Sequence, residues 1–346
     1  MYNFQNDYSE GAHPHILNKL VETNLSQQLG YGHDAYSEKA KELIKQKINN
    51  KDAAIYFVSG GTQANLLVIS SLLKIHEAVI SAQTGHIYTH ETGAIEAVGH
   101  RVITVETSTG KLQAKDIQNV LNAYSLRPHV VKPKMVYISN STEIGTIYNK
   151  SELVELSAFC KKHKLLLFMD GARLGHALTA ENNDLTLGDI AQLTDVFYIG
   201  GTKNGALLGE AIVFNNSTLA PDFDYVLKQK GALMAKGRII GIQFLTLFNE
   251  DLYFDLAKHA NNMAAKISRF LEEKGYTFLT VSTTNQIFPI LPKTIIDELR
   301  KKYLFYEWKN MDDQNSAIRL ITSWATEETK IEEFINDLKI AISQNK

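Results

Sequence analysis

The sequence predicts an α/β protein, a mostly parallel seven-stranded sheet flanked by helices and followed by a smaller α+β C-terminal unit. Three observations predict it. Short apolar runs alternate with longer amphipathic stretches as far as Phe214, the pattern of βαβ units. Those runs are continuously apolar rather than alternating, which suits strands buried on both faces. After Asn216 the pattern changes to long helical stretches and then to a few strand-like runs.

In chain order, residues 1–15 are polar and turn-rich and read as an extended arm. Helical periodicity follows in "HILNKLVETNLSQQL" and "AYSEKAKELIKQKIN". The strand candidates are Ala54–Val58, Ala78–Ile80, Arg101–Val105, Lys134–Ser139, Leu165–Met169, Val196–Ile199 and Ala211–Phe214. Helical patterns at Gln63–Leu73, Ile87–Ala97, Lys115–Ala123 and Ser151–His163 lie between them. The last two strands are close in sequence, which places one antiparallel strand in the sheet. Long helices are expected over Asp222–Asn249 and Asp251–Lys274. Strand-like "NQIFPIL" and "AIRLITSW" and a terminal helix, "EETKIEEFINDLKIAISQN", complete the chain. These divide it into the arm, a large domain over 16–248 and a small one over 249–346.

Composition narrows the function classes. The chain has 346 residues, 44% apolar, with a formal net charge of −2. Mixed charges of that balance argue against a nucleic-acid footprint, which needs a basic stripe. The single cysteine, Cys160, cannot form an internal disulfide or a cysteine metal cluster, and reads as a packing residue in a reducing compartment. No signal-peptide pattern or membrane-spanning run is visible, so a cytoplasmic protein is expected.

In an open parallel sheet, ligands bind beyond the carboxyl ends of the strands. Ser59-Gly60-Gly61-Thr62 lies between a strand and a helix, as either a tight turn capped by Thr62 or an anion loop at a helix start. Asp170 ends an apolar strand, with Arg173 three residues on; the aspartate is either a helix cap or a permanent anion facing a cationic ligand group. His86, His90 and Glu91 follow another strand, and Asn140 and Glu143 a fourth. Lys203 sits in the Gly-rich loop after a fifth, where a lysine is ordinarily a solvated surface charge. Together, an anion loop, a ring-sized histidine, a buried acid and a lysine meet the needs of pyridoxal 5′-phosphate (PLP). That cofactor has a phosphate, a ring, a protonated nitrogen and an aldehyde that condenses with an amine.

Six stretches carry a family resemblance: "YGHDAYSEKA", "VSGGTQAN", "TGHIYTHETGAIE", "YISNSTEIGTIY", "MDGARLGHAL" and "GGTKNG". In that order, over essentially the whole length, the chain resembles the PLP-dependent threonine aldolases of the β-eliminating lyase group. It is most similar to their low-specificity L-threonine branch. The resemblance implies a fold type I PLP enzyme that cleaves L-threonine, L-allo-threonine and related β-hydroxy-α-amino acids to glycine and an aldehyde. It implies that Lys203 carries PLP covalently, Asp170 pairs with the ring nitrogen, and His86 stacks on the ring. Gly60, Gly61 and Thr62 would bind the phosphate, and Arg173 and Arg319 the substrate carboxylate. Tyr31 and Arg238 would reach a neighbouring subunit's site in a homotetramer built as a dimer of dimers.

Two departures matter. Asn6, beside Asp7, stands where the family has a carboxylate-holding serine. Glu143 stands near a histidine of the better-known branch. The base for the β-hydroxyl proton is therefore His86, His129, Glu143 or an ordered water. The alternatives are a β-eliminating lyase or racemase on the same scaffold, and a PLP-carrying protein without turnover.

Overall fold

A computed structural model describes residues 1–219 and 221–344. Its large sheet has seven strands. Across the sheet they run Ala54–Val58, Glu210–Phe214, Val196–Gly200, Leu166–Asp170, Lys132–Ser139, Glu77–Ala82 and Arg101–Val105. Every neighbouring pair is parallel except the two made by Glu210–Phe214, the antiparallel strand expected from sequence.

The apolar runs fill two cores because successive side chains point to opposite faces. Phe197 and Ile199 join one core with Met169, Ile138 and Val213. Val196 and Tyr198 join the other with Phe168, Tyr137 and Ile212. Each such side chain stabilises the fold by about 1.5–3 kcal/mol when fully buried. Cys160 is buried in the first core, and burial pushes its thiol up to about 12, away from reactivity.

The arm is tied down, and two helical expectations need correction. The extended arm over residues 1–15 is docked at its start. Tyr2–Asn3 pairs parallel with Tyr303–Leu304, and Phe4 is fully buried against Phe334 and Tyr303. Tyr2 packs edge-on against Phe4 and joins the same core, so the pair anchors the segment. The helical pattern Ile87–Ala97 is two short helices, His86–Thr89 and Ala94–Ala97, because Thr92 and Gly93 take left-handed φ of 53° and 72°. Likewise Asp222–Asn249 is Phe223–Gln229 and Arg238–Phe248, with Gly231 at φ 70° between them. Apolar spacing runs through both breaks, so periodicity alone joins what the backbone separates.

At the C-terminal end, Ile290–Pro292, Asn315–Ile321 and Tyr306–Asn310 form an antiparallel sheet, and Gln286–Ile287 also pairs with Asn315–Ile321. The run "NQIFPIL" is therefore two short strands, broken around Pro289. Helices Leu252–Glu273, Lys293–Arg300 and Glu328–Gln344 pack against this smaller domain's core. The long helix belongs to both cores: Tyr253 and Leu256 pack in the large one, Met263 and Ile267 in the small one. No described helix is long and apolar enough to cross a membrane.

Candidate active site

The strand ends converge on a cavity of about 280 Å³. Its lining includes Gly60, Gly61, Thr62, His86, Glu143, Asp170, Arg173 and Lys203, together with Tyr8, Tyr198, Thr202 and Glu210. Most of the residues singled out from sequence thus share one space, although they span residues 60 to 203.

Gly60 caps helix Gly61–Leu72 with extended backbone and no side-chain hydrogen bond, so Thr62 is not the cap. The backbone N–H groups at the start of that helix make an anion-favouring edge on the cavity. A side chain at Gly61 would meet the Tyr198 hydroxyl at 3.0 Å, whereas one at Gly60 would enter open space. Nothing in the chain itself demands glycine at 60, and its absence of bulk leaves room for a ligand.

Asp170 is buried and held by four donors. Tyr137 Oη and Asn65 Nδ2 donate to Oδ2 at 2.6 and 3.1 Å, the Ala172 N–H donates to Oδ1 at 3.0 Å, and Tyr198 Oη also donates to Oδ1. Burial alone would raise its pKa, but the His86 charge and these hydrogen bonds outweigh burial and hold the carboxyl below its usual value. Burial and Asp170 push both phenols far up, so they remain O–H donors. The following helix, Leu174–Leu178, starts at Arg173, so Asp170 does not cap it.

His86 Nδ1 lies 2.8 Å from Glu91 Oε1, which also accepts from Asn65 Nδ2 at 2.7 Å. Asn65 therefore links the histidine's carboxylate to Asp170. A second histidine, His90, stacks on His86 at 5.5 Å. Glu143 Oε1 accepts the His86 backbone N–H at 3.0 Å and the Ser139 hydroxyl at 2.7 Å, and burial raises its carboxyl.

Lys203 is half-buried on the cavity wall. Burial, and then the Arg173 charge, lower its amine from the ordinary lysine value, against the pull of Asp7, Asp170 and Glu210. A solvated turn lysine would feel none of this.

The carboxylate-binding candidates are arranged differently from expectation. Asn6 does not face Arg173; its Oδ1 closes a turn by accepting the Tyr8 N–H and the Ser9 hydroxyl. Its neighbour Asp7 does face it. Fully buried, Asp7 accepts from Arg173 Nε at 2.8 Å and Nη2 at 3.0 Å, and from Asn285 Nδ2 at 2.9 Å. Among the described residues Arg319 has no such partner. It lies over the rings of Trp308 at 4.6 Å and Tyr306 at 5.2 Å, with one long hydrogen bond to the Gln5 carbonyl. Burial and Arg173 lower it to about 10.

Asn6 and Arg319 lie outside the cavity lining, and so do three further sequence candidates. His129 is exposed in the turn after Leu126. Tyr31 is exposed, with the Lys228 ammonium over its ring. Arg238 donates to the carbonyls of Ser26 and Thr23 at the end of helix Pro14–Thr23. Sequence reasoning missed Asp7's contact and did not consider Asn65 or Glu210. The signals were there: a polar Asn65 in an apolar helix, and a glutamate opening an apolar strand.

This sheet and its strand-end cavity have the fold type I architecture; aspartate aminotransferase of Thermus thermophilus shares the fold at a TM-score of 0.71 with 13% identity, covering 99% of this chain and 91% of that one. More narrowly, the chain belongs to the beta-eliminating lyase family, whose model matches residues 11–293. It is 33% identical over 351 residues to the low specificity L-threonine aldolase of Pseudomonas sp. strain NCIMB 10558, covering 98% of both chains. The corresponding Pseudomonas aeruginosa enzyme is 30% identical, covering 98% of this chain and 97% of its own. A solved threonine aldolase structure from Leishmania major superposes with a TM-score of 0.96 and 49% identity, covering 98% of this chain and 99% of that one.

Proposed function

We propose that the protein is a PLP-dependent lyase that cleaves L-threonine, L-allo-threonine and related β-hydroxy-α-amino acids to glycine and an aldehyde. The observation that carries this reading is the shared cavity: Lys203, Asp170 and an uncapped helix start with open space at Gly60 face one volume. These residues fit the cofactor. Lys203 would carry its aldehyde carbon, Asp170 would face its ring nitrogen, His86 its ring, and Gly60, Gly61 and Thr62 its phosphate. The cofactor supplies an electron sink for the bond broken at the substrate α-carbon.

The chain's own residues do the rest. Asp170, kept ionised by its donors, holds a proton at the ring nitrogen. Arg319, lacking a carboxylate partner, receives the charge of the substrate carboxylate. Arg173, with Nη1 left over by Asp7, offers a second set of N–H groups and fixes the torsion about the α-carbon. We assign to Glu143, which lines the cavity and whose carboxyl burial raises, the task of taking the β-hydroxyl proton. The protein works in the cytoplasm as a homotetramer, with Tyr31 and Arg238 near the contact between subunits; the exposed Val21, Leu25 and Leu29 around that region support this.

The test is release of glycine and acetaldehyde from the L- and D-forms of threonine and allo-threonine. Lys203→Ala should lose both turnover and the visible absorbance of bound PLP. Release of ammonia and a keto acid instead would assign β-elimination. Racemised threonine without aldehyde would assign a racemase.

A further inference from the structure

Asn65 is a polar side chain that its surroundings do not explain. Helix Gly61–Leu72 buries Ala64, Leu67, Val68 and Ile69 around it, and Asn65 is itself fully buried. Its Nδ2 donates to Glu91 Oε1 at 2.7 Å and to Asp170 Oδ2 at 3.1 Å. Only the amide nitrogen can face two acids, so its neighbours fix which way the amide points. Its Oδ1 is then left buried with no hydrogen bond among the described residues, and so is Glu91 Oε2. Packing alone would favour an apolar residue here, since a stranded buried acceptor is costly.

Glu91 is buried between the exposed His90 and Thr92. Helix His86–Thr89 ends before it, and His90 leaves helical geometry at φ −132°. Residues five apart point about 140° away from each other around an unbroken helix. The break lets Glu91 turn back onto His86, and its Oε1 lies 2.8 Å from His86 Nδ1.

We propose that Glu91 and Asn65 are positioning residues for His86: Glu91 fixes Nδ1 as the nitrogen that carries the neutral ring's proton, leaving Nε2 bare, and Asn65 ties Glu91 to Asp170 so that the two acids hold one arrangement. The proposal rests on the reading of His86 and Asp170 above. A carboxylate only accepts, so Nδ1 must donate to it. Among the described residues no other side chain bonds the ring. Glu143 takes the backbone N–H of His86 at 3.0 Å. His90 stacks on the ring at 5.5 Å, with its own Nδ1 at 2.5 Å from Thr89 Oγ1. The tautomer decides whether the free nitrogen of a ring lining the cavity accepts a hydrogen bond or donates one.

The full chain, labelled with ¹⁵N-histidine and loaded with PLP, reports the tautomer by nitrogen magnetic resonance at about pH 9, above the ordinary histidine range. Comparison with His86→Phe identifies the two ring signals. The parent should show a protonated Nδ1 and a bare Nε2. Glu91→Gln and Asn65→Leu should each lose that single tautomer, with proton appearing on Nε2. Turnover should fall on the order of 10–100-fold with KM little changed, the scale on which groups behind a metal-bound histidine act. Either variant carries the test alone if the other does not fold. A proton on Nε2 in the parent, an unchanged tautomer in either variant, or turnover that holds when the tautomer is lost overturns the proposal, and aldehyde release by the parent keeps the function. A parent with the Nδ1 tautomer that releases no aldehyde fails the function and leaves the tautomer assignment standing.

Discussion

Asp7 meets Arg173 side-on, taking the Nε and Nη2 donors at 2.8 and 3.0 Å. A guanidinium has two edges that can grip a carboxylate. The chain's own carboxylate fills one and cancels the charge. The two arginines expected to act alike therefore differ: Arg319 keeps its charge, and Arg173 is half of a buried pair.

Arg319→Gln should raise KM for threonine by tenfold or more, about 1.4 kcal/mol or more of binding, with the urea midpoint nearly unchanged. Arg173→Gln should raise KM and also cost about 3–5 kcal/mol of stability, since it strands a buried carboxylate. Steady-state kinetics beside urea denaturation separates the two. Equal loss of stability in both would contradict this division.

Asp170→Asn keeps a side chain of the same shape but removes the anion. Turnover should fall on the order of 10²–10³-fold, as for other preorganised electrostatic groups, with KM little changed. If kcat/KM fell only through KM, the residue would be positioning substrate instead. Tyr198→Phe, which removes one of the four donors, should have a smaller effect in the same direction.

Glu143→Gln should lower kcat about 10²–10⁴-fold, the range for losing a general base. Because burial raises this carboxyl, the parent's rate should climb with pH as Glu143 ionises, and that acid limb should vanish in the variant. His129→Ala, in an exposed turn, should leave the pH–rate profile as it was. A lost limb in the histidine variant would exchange their roles.

His176 is fully buried, with neither ring nitrogen hydrogen-bonded among the described residues. Burial lowers it from 6.5 to about 4. The folded protein therefore keeps it neutral, while the unfolded chain binds a proton below about pH 6.5. Its contribution to stability is fully present above that value and falls away as pH drops toward 4. A shift of this size amounts to about 3 kcal/mol. Melting temperatures measured down that pH range should fall less steeply for His176→Phe than for the parent; parallel curves would discount the histidine.

Much of the fold is legible in the sequence, because parallel strands buried on both faces announce themselves as unbroken apolar runs. Asp170 and Lys203 each had an ordinary explanation, as helix cap and surface charge; what singled them out was their joint position past the ends of such runs, and both line one cavity. Asp7 was not, since its place depends on Phe4 docking into a core made by residues almost three hundred positions later. Strand Tyr306–Asn310 was also missed. Four of its five residues are exposed, so it lacks the apolar signature, and only Trp308 turns inward.

The antiparallel strand also sets an order of assembly. Ala54 pairs with Phe214, and the same strand stitches Val58 to Glu210 and Gly200. The Ser59–Thr62 loop and the lysine loop are thus neighbours only once a very long stretch of chain has closed on itself, an entropically late event. A nascent chain still lacking residue 214 would not yet have the finished cavity. Once that strand has slotted in, cofactor capture would act as a latch on the finished sheet, deepening its stability in proportion to the logarithm of the free vitamin concentration.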